Sequence, residues 1–341
     1  MLETLGNTLI REKAGVIPNL AALGYASLGH VLGLWLLTQT ALPLAAAGVL
    51  LCAHTMVIAA YLIHEAAHMT LCRDPRHNAF IGEIMAFLCG ASYASFERIR
   101  HMHLRHHRDR ADVARFNYKT VLRRLPPFGR RLVYVLEWAY VPAIELLMQY
   151  QLLLRPFTNP AEADRRVRVW LMLLLRGGLF ATLALLGGLP ALALYALAWG
   201  LFLTVMHFFD AFHHTFDQYF VAEDDEKVSM VGKDREYEQA NTYSNVVSVR
   251  WPWLNLLTLN FGYHNAHHQR AAAPWYRLPA LHRELYGQTS RELMPLSELL
   301  RTFHRHRLRR ILDDDYGAVG NGAGRADNFV GAHGVSFLTV V

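Results

Sequence analysis

The chain contains 341 residues, of which 53% are hydrophobic and 18% charged, and it carries a formal charge of +6 with a pI near 9.3. This composition is too apolar and too poor in charge for an ordinary soluble protein, and it indicates a membrane protein with a sizeable polar portion. In such a protein the excess of Lys and Arg flanks the cytoplasmic ends of the spans, so it does not indicate a nucleic-acid partner. The three cysteines have no C-x-x-C spacing and are expected to be unpaired packing residues. No cleavable signal peptide is expected, because the first sixteen residues are mixed and charged.

Two apolar runs follow the N-terminus, at residues 16–37 and 41–63, and each is long enough to cross a bilayer as a helix. The link between them is short and uncharged, which predicts a helical hairpin. His30 and His54 lie inside these runs. Neither has a histidine partner at helical spacing, so we expect both to be packing residues.

The first histidine pair stands where the second run meets the polar part of the chain. His64 and His68, in HEAAH, are spaced i, i+4 and share one helix face. Residues 79–96 then form a short apolar stretch interrupted by Glu83 and Gly90. This pattern predicts a helix that lies on the membrane surface or is partly inserted.

Four histidines occur within seven residues in the next segment, RIRHMHLRHHRDRAD at 98–112. If the segment is helical, His103, His106 and His107 stand at i, i+3 and i+4 and share one face. His101 is an additional histidine that would replace His103 if the register were H-x-x-x-x-H-H.

The middle of the chain, residues 108–168, is polar and basic and contains several prolines. Within it, residues 132–154 alternate apolar and polar positions, which predicts a helix lying on the membrane or against the polar domain. A second pair of apolar runs, 167–186 and 191–209, is joined by an uncharged GGLP turn. Arg176 lies within the first of these runs, where it is costly unless it snorkels or finds a partner, and the sequence assigns it no role.

A third histidine motif repeats the spacing of the second. His264, His267 and His268 again form H-x-x-H-H, in HNAHH. Eight histidines in three clusters exceed the ligand needs of one tetrahedral ion. Imidazole-rich sites suit zinc, copper, iron and nickel, and this number of ligands indicates two transition-metal ions.

The distribution of Lys and Arg predicts the topology. Both hairpin turns lack them, whereas the N-terminus, the middle segment and the C-terminal third hold nearly all of them. The positive-inside rule therefore places both termini and all three histidine motifs in the cytoplasm. The predicted fold is an all-α integral membrane protein with four transmembrane helices in two hairpins. It forms a single domain, 1–341, whose cytoplasmic helical cap comprises residues 64–166 and 210–341.

The three motifs HEAAH, HLRHH and HNAHH, placed around two hydrophobic hairpins over residues 41–268, resemble the histidine boxes of the membrane fatty acid desaturase and hydroxylase superfamily. The resemblance implies a non-haem di-iron centre that uses dioxygen and two electrons to remove hydrogens from a methylene chain. It implies an oxidoreductase, a fatty acyl desaturase of lipid metabolism, with two iron ions as cofactor. The ligands that it implies are His64, His68, His103, His106, His107, His264, His267 and His268.

The acyl-CoA desaturase branch has one further ligand histidine just past the fourth span, preceded one turn earlier by an Asn that contacts a metal through water. Here the resemblance implies His214 as that ligand, with Asp210 in the place of the Asn as a contact through water. The change to Asp leaves open whether that contact is direct. His213 is expected to pack nearby, and His207 to be a hydrogen-bonded membrane histidine.

Three other functions are compatible with parts of this pattern. HEAAH is also the H-E-x-x-H motif of zinc metalloproteases, with Glu65 as general base, but that reading leaves the other two boxes unexplained. A histidine-rich metal transporter or storage protein predicts ligands inside the spans, whereas the boxes lie outside them. A hydroxylase or other mono-oxygenase of the same superfamily shares the boxes, so it remains an alternative to the desaturase.

The partners follow from the same features. The substrate is expected to be a lipid acyl chain that enters from the bilayer. No haem-binding or flavin-binding segment is evident, so a separate donor such as a ferredoxin or cytochrome is expected to dock on the basic cap. Ligating histidines need a partner on the second ring nitrogen. The candidates for that role are Glu65, Asp109, Asp112, Asp217 and Asn265.

Overall fold

The structure is a computed structural model that describes residues 9–90, 92–114, 117–216, 219–221, 232–287, 293–294, 296–313, 315–322 and 324–335. This part of the chain is mostly helical. Its α-helices are α1 Val16–Leu37, α2 Leu42–Ala67, α3 Pro75–Cys89, α4 Phe96–Asp109, α5 Tyr118–Arg124, α6 Pro127–Trp138, α7 Ala143–Thr158, α8 Arg166–Asp210, α9 Arg235–Ala240, α10 His264–Gln269, α11 Leu278–Tyr286, α12 Leu296–Arg305 and α13 Arg309–Leu312. Short 3-10 helices lie at Lys13–Gly15, Pro160–Arg165, Pro252–Thr258 and Trp275–Arg277. Two three-residue strands, β1 Asp112–Ala114 and β2 Tyr219–Val221, pair in parallel, with Val113 opposite Phe220.

The chain divides into two compact units. The first, the apolar unit, comprises Met1–Ile99 and Gln149–Val205, and the second, the histidine unit, comprises Arg100–Met148 and Met206–Val340.

In the apolar unit, α1 and α2 pack closely because glycines line their contact. A Cβ atom on Gly33 would lie 2.6 Å from the Cys52 sulfur, and one on Gly48 would lie 2.9 Å from the backbone nitrogen of Leu37. Small residues allow this approach of two apolar helices in a membrane, where van der Waals packing drives association. Two long apolar helices are therefore present where the sequence predicts them, as Val16–Leu37 and Leu42–Ala67.

Among the residues that the structure describes, three helical segments are long and apolar enough to cross a membrane: Lys13–Leu37, Leu42–Ala67 and Pro160–Asp210. The third contains 51 residues, and a continuous helix of that length would measure about 75 Å, over twice the thickness of a bilayer core. It is interrupted at Gly188, whose φ of 68° and ψ of −167° are not helical. The two apolar runs predicted on either side of the GGLP turn thus both lie in α8, which is broken at that turn.

The short helix α3 begins at the side chain of Asp74, which accepts from the backbone nitrogen of Arg76 at 2.8 Å. It ends at Gly90, whose φ of +87° is left-handed. A Cβ atom there would also lie 2.8 Å from Nε1 of Trp199. A left-handed glycine commonly terminates a helix, because a residue without Cβ adopts that conformation without steric cost.

Arg176 finds its partner at the carboxyl end of α3. Its Nη2 donates to the carbonyl of Phe87, its side chain lies over the Phe87 ring at 4.4 Å, and its Nη1 is 3.4 Å from the Tyr195 hydroxyl. Trp199 Nε1 donates to the neighbouring carbonyl of Cys89 at 3.0 Å. The last carbonyls of a helix lack intrahelical donors and carry partial negative charge, so a buried cation there is stabilising. Arg176 therefore has a structural role.

In the histidine unit, the single helix predicted over 132–154 is instead the two helices α6 and α7. The chain turns between them at Tyr140, whose φ is +63°, and at Pro142. A proline inside a helix removes a backbone donor, and the residue before it is driven out of the helical region.

A buried aromatic cluster lies around the end of α8. It is formed by Phe208, Phe209, Phe212, Phe303 and Phe329.

Candidate metal centre

The second histidine box lies on α4, as its spacing predicts, and the third lies on the short helix α10. Leu259 and Asn260 precede α10 with φ of 44° and 57°. Two successive left-handed residues reverse the chain after the 3-10 helix Pro252–Thr258, so the third box starts at a sharp turn.

Four imidazoles of the histidine unit converge through their Nε2 atoms. His214 Nε2 is 3.1 Å from His106 Nε2 and 2.9 Å from His264 Nε2, and His268 Nε2 is 3.1 Å from His264 Nε2. One ring nitrogen from each of the four lies within 4.8 Å of the others. These residues are called the four-histidine group.

The hydrogen-bond partners of Nδ1 in two of these rings show that their Nε2 atoms carry no proton. His106 Nδ1 is 2.8 Å from the carbonyl of Ala111, which only accepts, and His268 Nδ1 is 2.9 Å from the Glu238 carboxylate. A neutral imidazole has one N–H, so the proton of each ring belongs on Nδ1 and its Nε2 presents a lone pair. Lone pairs that face one another repel unless a cation lies between them. The inward-facing atoms therefore fit metal ligation.

Three further imidazoles form a second group in the same unit. His107 Nε2 lies 3.2 Å from His103 Nε2 and 3.1 Å from His267 Nε2. The rings of His107 and His268 have centroids 4.3 Å apart, so this three-histidine group adjoins the four-histidine group.

Each H-x-x-H-H box divides between the two groups. The i, i+4 pair of the second box, His103 and His107, joins His267 of the third box. The i, i+4 pair of the third box, His264 and His268, joins His106 of the second box. The spacing predicted that all three imidazoles of a box share one helix face. In the structure, the imidazole at position i+3 of each box belongs to the other histidine group. The two boxes thus supply both groups reciprocally.

The first box lies in the apolar unit. His64 and His68 occupy the end of α2, one turn apart, with ring centroids at 4.7 Å. His64 Nδ1 is 3.5 Å from the carboxylate of Glu65. Two imidazoles therefore face one side of this helix end.

Burial favours the neutral form of three members of the four-histidine group. Burial, followed by the charges of neighbouring imidazoles, lowers the pKa of His214, His264 and His268 well below its usual range. A metal ligand must be the neutral imidazole, so the surroundings hold these rings in the ligating state near neutral pH.

A small cavity of about 50 Å³ opens beside the groups. His106, His214 and His264 contribute to its wall, together with Asp210 and Val335. This volume admits a molecule of the size of water or dioxygen.

The sequence matches the fatty acid desaturase family over residues 40–299, a range that contains all three histidine boxes. The chain belongs to the fatty acid desaturase family. The resemblance predicted from the boxes is thereby confirmed. Among curated proteins, no sequence matches the chain. Members of the desaturase family are oxidoreductases of the desaturase and hydroxylase kind, and the two imidazole groups have the donor chemistry that iron accepts.

Several histidines of this desaturase-family chain lie outside the two groups. His101 is exposed on α4, whereas His103 is buried beside His107. His213 donates through Nε2 to Asn245 Oδ1 at 2.9 Å and stacks on His264 with centroids at 4.0 Å, as expected of a packing residue. Asp210 lies 3.7 Å from His213 Nδ1 and lines the small cavity.

The acidic and amide residues predicted to hold the outer ring nitrogens of the histidines differ in what they contact. Asp112 lies 3.9 Å from His106 Nδ1, whereas Asp109 pairs with Arg105 and Arg108. Asn265 bonds the backbone carbonyl of Thr242 at 2.6 Å. Asp217 lies outside the described residues.

Sequence reasoning missed two partners of the ligand-like histidines. Glu238 on α9 accepts from His268 and is itself held by Arg110 Nε at 3.1 Å, and Thr242 Oγ1 lies 3.3 Å from His214 Nδ1. Burial raises the pKa of Glu238, and the Arg110 hydrogen bond opposes this shift. Both residues lie far from the boxes in sequence, so no spacing could have indicated them.

Proposed function

We propose that the chain is an O2-dependent di-iron fatty acyl desaturase that inserts a double bond into a lipid acyl chain. The observation that carries the proposal is the convergence of Nε2 atoms in two adjoining histidine groups of a desaturase-family chain. Iron held there supplies the oxidising chemistry, with dioxygen as co-substrate and two electrons from an external donor.

The proposed ligand set combines the boxes with the histidine that follows α8. The four-histidine group and the three-histidine group supply seven imidazoles, and the family pattern adds the first-box pair. The proposed ligands are His64, His68, His103, His106, His107, His214, His264, His267 and His268. Asp210 is proposed to contact a metal through water, since it lines the small cavity beside His214.

The protein's own residues prepare this site in two ways. Ala111 and Glu238 hold the protons of His106 and His268 on Nδ1, which keeps each Nε2 available. Such outer partners orient the rings and raise their basicity. The buried walls around them keep bulk water from the reacting position.

An apolar cavity of about 420 Å³ in the apolar unit supports an acyl substrate. Aromatic and aliphatic side chains dominate its wall, namely those of Tyr93, Leu153, Phe180, Leu192, Tyr195 and Trp199. A methylene chain gains free energy from transfer to such surroundings, roughly 0.8 kcal/mol per buried CH₂.

We further propose a multi-pass arrangement with four spans, in which the break at Gly188 separates the third from the fourth. The absence of Lys and Arg from both hairpin turns supports cytoplasmic termini and cytoplasmic boxes. The basic polar segments would then face a soluble ferredoxin or cytochrome as electron donor.

Product analysis tests the reaction. The protein would be expressed in a host that lacks the activity, and lipid extracts compared by mass spectrometry before and after expression. We expect loss of two hydrogens from an acyl chain. Gain of one oxygen would show a hydroxylase instead, and one bound zinc per chain with no iron would show a metalloprotease-type site.

The docking of the electron donor is tested separately by measuring how turnover depends on salt concentration. With an acidic electron carrier, we expect turnover to fall as ionic strength rises, because screening weakens docking on the basic surface. Turnover that is insensitive to salt would contradict electrostatic docking.

A further inference from the structure

A second polar cluster is buried in the histidine unit, apart from the nine proposed iron ligands. Glu137 and Glu145 meet His207 and His333, and one ligand atom from each lies within 4.8 Å of the others. All four side chains are at least nine-tenths buried, with His207 the most exposed at 9%. They are called the Glu–His cluster.

The cluster is assembled from four separate segments of the chain. Glu137 is on α6, Glu145 on α7 and His207 near the end of α8, while His333 belongs to the C-terminal segment 324–335. His333 lies beyond residue 299, where the match to the desaturase family ends. Neither the boxes nor the family match assigns a function to these residues.

Several buried polar atoms of the cluster have no hydrogen-bond partner among the described residues. They are Glu145 Oε2, His207 Nε2 and both ring nitrogens of His333. Glu145 Oε1 approaches His333 Nε2 at 3.3 Å and His207 Nδ1 at 3.5 Å, without the geometry of a hydrogen bond. The histidine rings stand almost perpendicular, at 87°, with centroids 4.0 Å apart. Unsatisfied buried donors and acceptors are costly, and a shared cation satisfies several of them together.

The charges of the cluster also favour a cation. Burial raises the pKa of Glu137 to about 7, and burial together with the charge of Glu137 raises the pKa of Glu145 well above its usual range. The charge of the buried Arg310 acts on both carboxylates, but this residue donates through Nε to the Val330 carbonyl at 2.8 Å and lies 4.5 Å from the Phe303 ring centre. Within the described residues it forms no ion pair with either carboxylate.

We propose that the Glu–His cluster binds one divalent transition-metal ion of the zinc class, separate from the di-iron centre. Carboxylate oxygens and imidazole nitrogens are donors that zinc accepts, and these four side chains would complete a tetrahedral zinc site. Glu137 accepts from the backbone nitrogen of Ile144 at 2.7 Å, and a carboxylate retains further lone pairs with which it can bind a metal.

The site anchors the C-terminal segment near the di-iron centre. Ala332, the neighbour of His333, donates to the Ala211 carbonyl at 2.8 Å, and Val335 lines the small cavity beside His106. A metal on His333 therefore fixes the stretch of chain that forms part of that cavity wall.

Zinc counting tests the proposal. Iron-loaded protein would be incubated with Zn²⁺ alone, freed of excess, and its zinc counted by plasma mass spectrometry. We expect Glu145→Gln and His333→Gln each to lose about one zinc per chain relative to wild type. The matched control is His306→Gln, another buried histidine, whose Nε2 bonds the Asp327 carbonyl and which should keep the wild-type count.

The box variant His106→Ala separates this site from the proposed function, because it should lose iron yet retain the same zinc. Equal zinc in wild type and in folded cluster variants would overturn the proposal and leave a proton-sharing network. If the variants do not fold, X-ray absorption at the zinc edge of the wild-type protein decides. Four nitrogen and oxygen ligands at about 2.0–2.1 Å are expected. Absence of bound zinc, or six oxygen ligands, would contradict the site.

Discussion

The same residue type behaves differently in the two units of the molecule. In the apolar unit, His30 Nδ1 bonds Thr55 Oγ1 at 3.1 Å, and His54 Nδ1 bonds the Tyr25 hydroxyl at 2.6 Å. Each of these rings has a neutral oxygen partner from a neighbouring helix. In the histidine unit, imidazoles instead face other imidazoles through Nε2, and outer acceptors hold the protons of His106 and His268 on Nδ1. What faces a ring, more than its presence in an apolar chain, decides whether it can bind metal.

The largest effect should follow loss of a box imidazole. We expect His106→Ala or His267→Ala to lower turnover by more than about 100-fold, beyond the usual cost of losing an outer partner, and to lower bound iron. The measurements are turnover with a supplied electron donor and iron per chain. His30→Ala is the control from the apolar unit and should change neither quantity. Full activity in both box variants would rule out the assignment.

A smaller loss should follow removal of an outer partner. Glu238→Ala leaves His268 without the acceptor that holds its proton on Nδ1, and we expect turnover or iron affinity to fall by about 10–100-fold. Glu236→Ala on the same short helix α9 is the matched control, because Glu236 is exposed. If both variants behave alike, the hydrogen bond to His268 does not orient the ligand.

The apolar unit should respond through stability instead. Arg176→Met keeps most of the side-chain volume but removes one of the two donors that the described residues give the Phe87 carbonyl, leaving the backbone nitrogen of Gly90 at 3.2 Å. We expect the free energy of unfolding to fall by about 1.5–3 kcal/mol, the usual net value of a hydrogen bond to a charged group. Thermal unfolding in detergent measures this change, and Arg123→Gln, at an exposed position, controls for the lost charge. A variant as stable as wild type would show that α3 does not need this donor.

Sequence reasoning succeeded where the determining contacts are local. The i, i+3, i+4 spacing predicted the helix of the second box, and the apolar runs predicted the long helices α1 and α2. It failed where a contact joins distant segments. Arg176 meets a carbonyl 89 positions earlier in the chain, and Glu238 meets a histidine from a different helix.

The division of each box between two groups was also beyond the sequence. Helical spacing places His103, His106 and His107 on one side of α4, but it does not say which ring of another helix each one meets. The Glu–His cluster is the extreme case, since its four residues share no spacing at all. Such sites become visible only when the fold brings their segments together.

The smallest expected effect concerns His54, a packing histidine of the apolar unit. Tyr25→Phe removes the hydroxyl that bonds His54, and Tyr25 is 39% exposed, so part of the loss is recovered by its surroundings. We expect the free energy of unfolding to fall by about 0.5–1.5 kcal/mol, the net value of one hydrogen bond, with turnover and iron unchanged. Thermal unfolding and iron analysis on the same preparation check both statements. A loss of iron here would mean that His54 is coupled to the metal centre. The distinction between histidines that face neutral oxygens and histidines that face one another would then fail at this residue.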